Sequence, residues 1–265
     1  MLKRLLKYDL VYMYKCLIIF YALSLVCGLC TRIFDNAGDA MILVIVTKIF
    51  NGAAISMMFS IIFNNILRLW ARFSSNLYGD ESYLTHTLPV TKSMHYTSKF
   101  LTVIITTISS ILVVVVTLFI AYIESKEQLR EIIDKFIYED GNIGDVLLVV
   151  FILILQIIHI IQLGYTGMIF GNRRMNMRLV WSFAYGFIGY ILTQICSVIY
   201  IFAMALISEN VKKMLFTAYG TSTNFNKLDE TIEFLLYGIL ILYIVFITIV
   251  FVINKKMLNK GVNVD

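Results

Sequence analysis

Six long apolar runs constrain the fold of this chain more than any other feature of its sequence. They cover about residues 16–33, 40–63, 100–123, 146–170, 179–207 and 232–253. Most of them supply the ~20 residues that an α-helix needs to cross a ~30 Å hydrocarbon layer, and they lack the period-two alternation of a membrane β-barrel. The sequence therefore predicts an all-α integral membrane protein, with six transmembrane helices in one domain over residues 1–265.

The composition points the same way. Hydrophobic residues make up 60% of the chain and charged residues only 15%, whereas a typical soluble protein has about 25% charged residues. These charges are too few to cover a soluble core of this size, which excludes an ordinary soluble enzyme. We therefore expect membrane lipid to be the solvent of the apolar runs.

The charges between the runs predict the orientation of the chain. The N-terminal segment, the loops at 64–99 and 171–178 and the C-terminal tail together hold fourteen basic and four acidic residues. The remaining loops and helix ends hold seven basic and thirteen acidic residues, and Lys48 lies inside the second run. Because basic loops stay on the cytoplasmic side, both termini of this multi-pass protein are expected in the cytoplasm.

Three segments outside the runs have apolar residues at helical spacing. Residues 1–15 predict an interfacial helix whose lysines lie near anionic lipid headgroups, or else the start of the first membrane helix. Residues 125–140 and 208–220 predict two short external helices, which either lie on the outer surface or only cap the bundle.

The segment between the second and third runs predicts a short helix over 81–88. Gly79 suits the end of the preceding helix, Asp80 suits the N-cap of the new one, and Glu81 suits its first turn. Pro89, the only proline in the chain, ends this helix, and Thr91 can cap the next one. A helix this short is either a compact element of the protein surface or a docking site for a partner.

A few polar side chains interrupt the runs and are the candidate lining of a substrate path: Lys48, Asn51, Gln156, His159, Gln162 and Gln194. Lys48 either snorkels to the interface or faces a wet cavity, because a lysine at the centre of the bilayer is costly. The three on the fourth run, spaced i, i+3 and i+6, either bond neighbouring helices or contact substrate. Gly167 and Gly171 form a G-x-x-x-G spacing, which predicts a close helix contact.

The sequence contains no motif for catalysis. No phosphate-binding loop, nucleophile elbow or H-E-x-x-H motif occurs, and the three histidines lack metal-ligand spacing. The Cys27-x-x-Cys30 pair lies in an apolar run, where we interpret both as plain membrane cysteines. We expect no enzymatic activity, no cofactor or metal in this chain, and no nucleic-acid binding, because the basic residues follow the membrane face.

One stretch resembles a known family. Tyr78-Gly79-Asp80-Glu81, then Thr87-Leu88-Pro89-Val90 and Ser98-Lys99, are similar to the "YGDE-x-YLT-x-TLPV…SK" stretch of small bacterial permeases. These are membrane-spanning subunits of ABC transporters of the type-two exporter superfamily. The resemblance covers the whole chain, because that family also has six helices, cytoplasmic ends, an N-terminal interfacial helix, a coupling helix between helices two and three, and short external helices.

The resemblance implies a bacterial plasma-membrane location and a set of partners. A separate ATPase subunit would bind ATP and magnesium, and a second copy of this permease or a homologous one would complete the transporter. The coupling segment that docks into the ATPase would use Gly79, Asp80, Glu81, Tyr83, Leu84, Thr87, Leu88 and Pro89. The expected function is export of an amphipathic or apolar substrate, such as a peptide, an antibiotic or a lipid.

Two other functions remain open on the sequence. An ion-coupled secondary transporter would need ionisable residues near the membrane centre, where only Lys48 and His159 are candidates. A membrane sensor or assembly protein would need no transport path at all.

Overall fold

A computed structural model describes residues 1–38, 40–79, 81–87, 89–122, 143–174, 176–209, 211–212 and 225–260. Every regular element within these ranges is an α-helix, so the predicted all-α fold is confirmed. The helices are α1 Leu2–Asp35, α2 Met41–Tyr78, α3 Ser82–Thr87, α4 Lys92–Tyr122, α5 Ile143–Gly171, α6 Arg178–Ile207 and α7 Phe225–Asn259.

Six of these helices, all except α3, are long and apolar enough to cross a membrane. Each covers one of the six apolar runs found in the sequence to within one residue, and most of them extend well beyond it. The extensions are polar or amphipathic, which is why hydropathy alone predicts shorter spans. The predicted external helices over 125–140 and most of 208–220 lie outside the described residues.

The N-terminal segment and the first apolar run form one continuous helix, α1, of 34 residues. This agrees with the second of the two interpretations of residues 1–15, in which they start the first membrane helix. No glycine or proline occurs before Gly28, so nothing in the local sequence ends a helix between the two parts. A position of residues 1–15 in the membrane interface stays a prediction.

Helices α1 to α4 belong to one compact unit and α5 to α7 to another. In the first unit, α1 packs against α2 and α4 through buried side chains such as Met13, Leu17, Ile61 and Val103. The contact between α1 and α4 also contains a hydroxyl seam, which we define as Tyr14, Tyr21 and Ser24 of α1 with Ser109, Ser110 and Thr117 of α4.

Hydrogen bonds between side chains run along this hydroxyl seam. Tyr14 donates to Ser109 over 3.0 Å, and the hydroxyls of Tyr21 and Ser110 lie 2.8 Å apart. Further along, the oxygens of Ser24 and Thr117 are separated by 3.1 Å, and both residues are buried. Hydroxyl pairs of this kind join helices where the surroundings offer few other polar partners.

In the second unit, α5 packs closely against α6 at a glycine seam, formed by Gly167 and Gly171 of α5 with Ser182 and Gly186 of α6. A Cβ atom added at Gly167 would lie 2.2 Å from the backbone oxygen of Ser182, and one at Gly171 would lie 2.5 Å from the Ser182 nitrogen. The two backbones are therefore too close for any side chain larger than hydrogen. The close contact predicted from the G-x-x-x-G spacing is confirmed.

Candidate functional site

The first unit contains a buried ion pair at the end where α1 and α4 begin. Lys99 of α4 donates through Nζ to Oδ1 of Asp9 in α1 over 2.5 Å, and Ser98 donates to the other carboxylate oxygen over 3.3 Å. Asp9 and Lys99 are 5% and 4% exposed, so both charges are shielded from solvent. Each charge needs the other, because an unpaired buried charge is strongly destabilising.

Arg72, near the end of α2, extends this pair toward the short helix α3. Its Nε lies 3.5 Å from Oδ1 of Asp9, and its Nη1 donates to Oε2 of Glu81 over 2.7 Å. The guanidinium group also lies 4.3 Å from the ring centre of Tyr12 in α1, a cation–π contact. We call Asp9, Arg72, Glu81 and Lys99 the ion cluster.

The ion cluster joins three long helices to the residue that precedes α3. It contains two carboxylates and two cations, so its charges balance, and burial decreases from Asp9 and Lys99 to Glu81, whose side chain is 48% exposed. Buried ion pairs keep a fixed geometry, since separating them exposes uncompensated charge in a medium of low dielectric. Arg72 and Asp9 thus connect Glu81 to the long helices α1, α2 and α4.

The structure locates most of the predicted coupling segment. Helix α3 falls within the predicted range 81–88, and Gly79 follows the last residue of α2, as expected of a helix end. Tyr83 is 78% exposed, and Thr87 and Pro89 are exposed as well. Leu84 belongs to α3, whereas Asp80 and Leu88 lie outside the described residues. Docking of this segment into an ATPase stays a prediction.

Helix α4 begins immediately after this segment, at Lys92. The backbone N–H of Met94 donates to the hydroxyl of Thr91 over 3.4 Å, which is the N-capping contact expected from the sequence. Thus both ends of the short segment are fixed by the two long helices that flank it.

The residues proposed to line a substrate path are divided between the two units, and their surroundings differ. Lys48 is exposed on α2, and one turn later Asn51 accepts a hydrogen bond from the hydroxyl of Tyr122 in α4. Gln156 on α5 and Gln194 on α6 are half-buried. His159 and Gln162 differ from all of these, because they are enclosed between α5 and α7 in the second unit.

The sequence did not predict that three residues of the ion cluster lie together. Asp9 and Arg72 were counted as charges that set the orientation of the chain, and Lys99 was in addition part of the stretch that resembles bacterial permeases. One signal was present for Asp9: it shares the apolar face of α1 with Leu5, Leu6 and Met13, where a carboxylate needs a partner. Nothing in the sequence near Asp9 indicates that its partner is Lys99, which lies 90 residues away.

The chain matches no protein-family model, no curated protein and no solved structure. Within the described ranges, no group of three or more His, Cys, Asp or Glu side chains could hold a metal ion. Any functional assignment must therefore rest on the membrane-spanning helices, the ion cluster and the exposed short helix.

Proposed function

We propose that this chain is the membrane-spanning subunit of an ATP-driven ABC exporter in the bacterial plasma membrane, with both termini in the cytoplasm. Two such subunits would work with two separate ATPase subunits, which bind ATP and magnesium. The substrate would be amphipathic or apolar, such as a peptide, an antibiotic or a lipid.

The observation that carries this proposal is the link between an exposed short helix and three long apolar helices. Tyr83, Thr87 and Pro89 give the 79–90 segment an exposed surface for a partner. Glu81, at the start of the segment, forms an ion pair with Arg72, which in turn contacts Asp9. A protein that pushes on this segment would therefore move helices that are long enough to cross the membrane.

In the proposed cycle, ATP-dependent closure of the two ATPases pushes on residues 79–90. The ion cluster carries this displacement to α1, α2 and α4, of which α1 and α4 are held together by the buried Asp9–Lys99 pair. The helices then change between an inward-open and an outward-open arrangement through rigid-body movements, as packed elements do in other two-state proteins.

The test is co-purification with a candidate ABC ATPase, sought among the genes that neighbour the gene of this chain. The full chain is expressed with that ATPase, extracted in detergent and isolated through a tag on this chain. The double variant Glu81→Lys/Tyr83→Asp should lose the ATPase, because it reverses a charge and adds another on the proposed docking surface. Glu209→Lys makes the same charge reversal at an exposed position outside the segment and should retain it.

Normal ATPase binding by the double variant would refute the docking assignment. Flux measured in sealed vesicles separates the remaining functions. ATP-dependent export supports the proposal, and transport driven by a proton gradient without ATP would indicate a secondary transporter. The absence of flux with a bound ATPase would indicate a sensor or an assembly protein.

A further inference from the structure

Two polar side chains of α5 are buried, and the ring of one of them lies against α7. His159 is 2% exposed, and Gln162, one turn further along the helix, is 0% exposed. The His159 ring stacks on Phe246 at 5.6 Å and meets the edge of Tyr243 at 6.0 Å, both on α7. Asn254 of α7 donates to the backbone oxygen of Gln162 over 3.4 Å, which marks the contact between the two helices.

The polar atoms of these two side chains have no hydrogen-bond partner in the described part of the chain. This holds for Nδ1 and Nε2 of His159 and for Oε1 and Nε2 of Gln162. A buried donor or acceptor without a partner is destabilising, whereas an apolar side chain of the same shape costs little or nothing there. Phenylalanine and leucine would fill the two positions better if their only purpose were packing.

We propose that His159 and Gln162 form a binding site for an uncharged amide group, such as the peptide bond of a transported apolar peptide. A carboxamide offers donors and an acceptor, and an imidazole can donate and accept as well, which together match the N–H and C=O of an amide. The rings of Tyr243 and Phe246 would contact the apolar flanks of the ligand. The proposed function supplies the transport step on which this assignment rests.

The chemistry of the surrounding groups favours an amide over an ion. Gln162, Tyr243 and Phe246 carry no charge, and a charged ligand among them would be desolvated without a counter-ion. An uncharged amide loses less solvation free energy when it leaves water, and paired hydrogen bonds in the site offset this loss. A purely hydrocarbon ligand would leave the four polar atoms without hydrogen-bond partners.

The enclosure of the site means that α5 and α7 must separate before a ligand can enter. The glycine seam holds α6 directly against α5, with backbone atoms too close for a side chain. The contact between α5 and α7 instead depends on side chains such as His159, Phe246 and Asn254.

The first measurement is binding of a labelled probe, N-acetylated trileucine amide, to the full chain in lipid nanodiscs. The variants are His159→Phe and Gln162→Leu, and the control is Thr248→Val, which removes an exposed hydroxyl from α7. Loss of one or two hydrogen bonds should weaken probe binding by about tenfold in each variant and leave the control within about twofold of the parent. An ester analogue of the probe should bind the parent more weakly.

The second measurement is the thermal midpoint of the same proteins. Both variants should keep or raise the midpoint, because they remove buried polar atoms that have no partner. A fall of more than about 5 °C in both would show that these atoms support the fold, and would overturn the proposal. Equal probe binding by the parent and both variants, or no binding by the parent, would overturn it as well.

The test of the amide site and the test of the proposed function can fail independently of each other. If no ATPase co-purifies but the probe discriminates between parent and variants, the binding site stands and the transporter assignment falls. If the ATPase binds and ATP drives export while the variants behave like the parent, the transporter stands and the amide site falls.

Discussion

The first unit joins its long helices through ion pairs and hydroxyl groups, whereas the second brings two backbones together at glycines. In the first, Asp9 and Lys99 pair at one end of the contact between α1 and α4, and the hydroxyl seam continues along it. In the second, Gly167 and Gly171 allow α5 and α6 to touch, and the side-chain polar atoms of His159 and Gln162 have no hydrogen-bond partner among the described residues.

The difference shows where polar groups stabilise the fold and where they destabilise it. Between apolar helices, a polar side chain stabilises only when its partner is present, and small residues stabilise through close packing alone. In the first unit, the ion cluster and the hydroxyl seam pair their polar groups across helix contacts, so these contacts are directional. The second packs α5 and α6 by shape and carries two polar side chains that packing does not explain. Three substitutions test this comparison.

The largest effect is expected from breaking the buried ion pair of the first unit. Lys99→Met should lower the free energy of unfolding by about 3–5 kcal/mol, because it leaves the buried Asp9 carboxylate with only the Ser98 hydroxyl and the more distant Arg72. The measurement is unfolding of the purified protein by SDS in mixed micelles. The double variant Asp9→Leu/Lys99→Met should recover much of this loss, since neither charge then remains.

The exposed arm of the ion cluster supplies the control for this prediction. Glu81→Gln should cost less than about 1 kcal/mol, because the Glu81 side chain is half-exposed and its ion pair is screened by solvent. Equal losses for Lys99→Met and Glu81→Gln would contradict the view that burial determines the strength of the cluster.

An intermediate effect is expected from adding one methyl group at the glycine seam of the second unit. Gly167→Ala places a Cβ 2.2 Å from the Ser182 backbone oxygen, so the helices must move apart. The expected loss is roughly 1–3 kcal/mol, measured by the same SDS titration. Gly52→Ala, on α2, adds the same methyl group where no atom lies within 4 Å, and should be neutral or stabilising. Similar results at the two glycines would rule out close packing as the reason for the seam.

The smallest effect is expected at a single bond of the hydroxyl seam. Ser24→Ala removes the hydrogen bond to Thr117 and should cost roughly 0.6 kcal/mol, the average for such bonds between membrane helices. Thr47→Val is the control, because the Thr47 hydroxyl bonds only to the Leu43 carbonyl of its own helix in the described structure. A loss at Ser24 no greater than at Thr47 would show that the seam adds nothing to the contact between α1 and α4.

The parts of the fold that depend on local sequence were predicted well. The six apolar runs, the short helix before Pro89, the cap at Thr91 and the close contact at Gly167 all follow from hydropathy, capping chemistry and residue size. These signals lie within a few residues of the feature that they predict, so one sequence is enough to find them.

The contacts that join distant segments could not be predicted in the same way. Charge counting treated Asp9 and Lys99 as markers of orientation, although they form a pair across 90 residues. The Gln156, His159 and Gln162 stripe was correctly placed on one helix, yet only its last two members are enclosed. Burial depends on how α7 lies against α5, and helical periodicity does not determine the choice of neighbour.

The length of α1 has a consequence for the membrane around the protein. Its apolar part, residues 17–30, spans about 21 Å, and Asp9 lies about 12 Å before it along the axis. A bilayer of ordinary thickness therefore reaches toward the ion cluster without covering it. In a thicker bilayer, acyl chains would surround the part of α1 that carries the cluster, and in a thinner one water would surround it. The protein should thus have a preferred lipid chain length, set by charged residues rather than by its apolar surface.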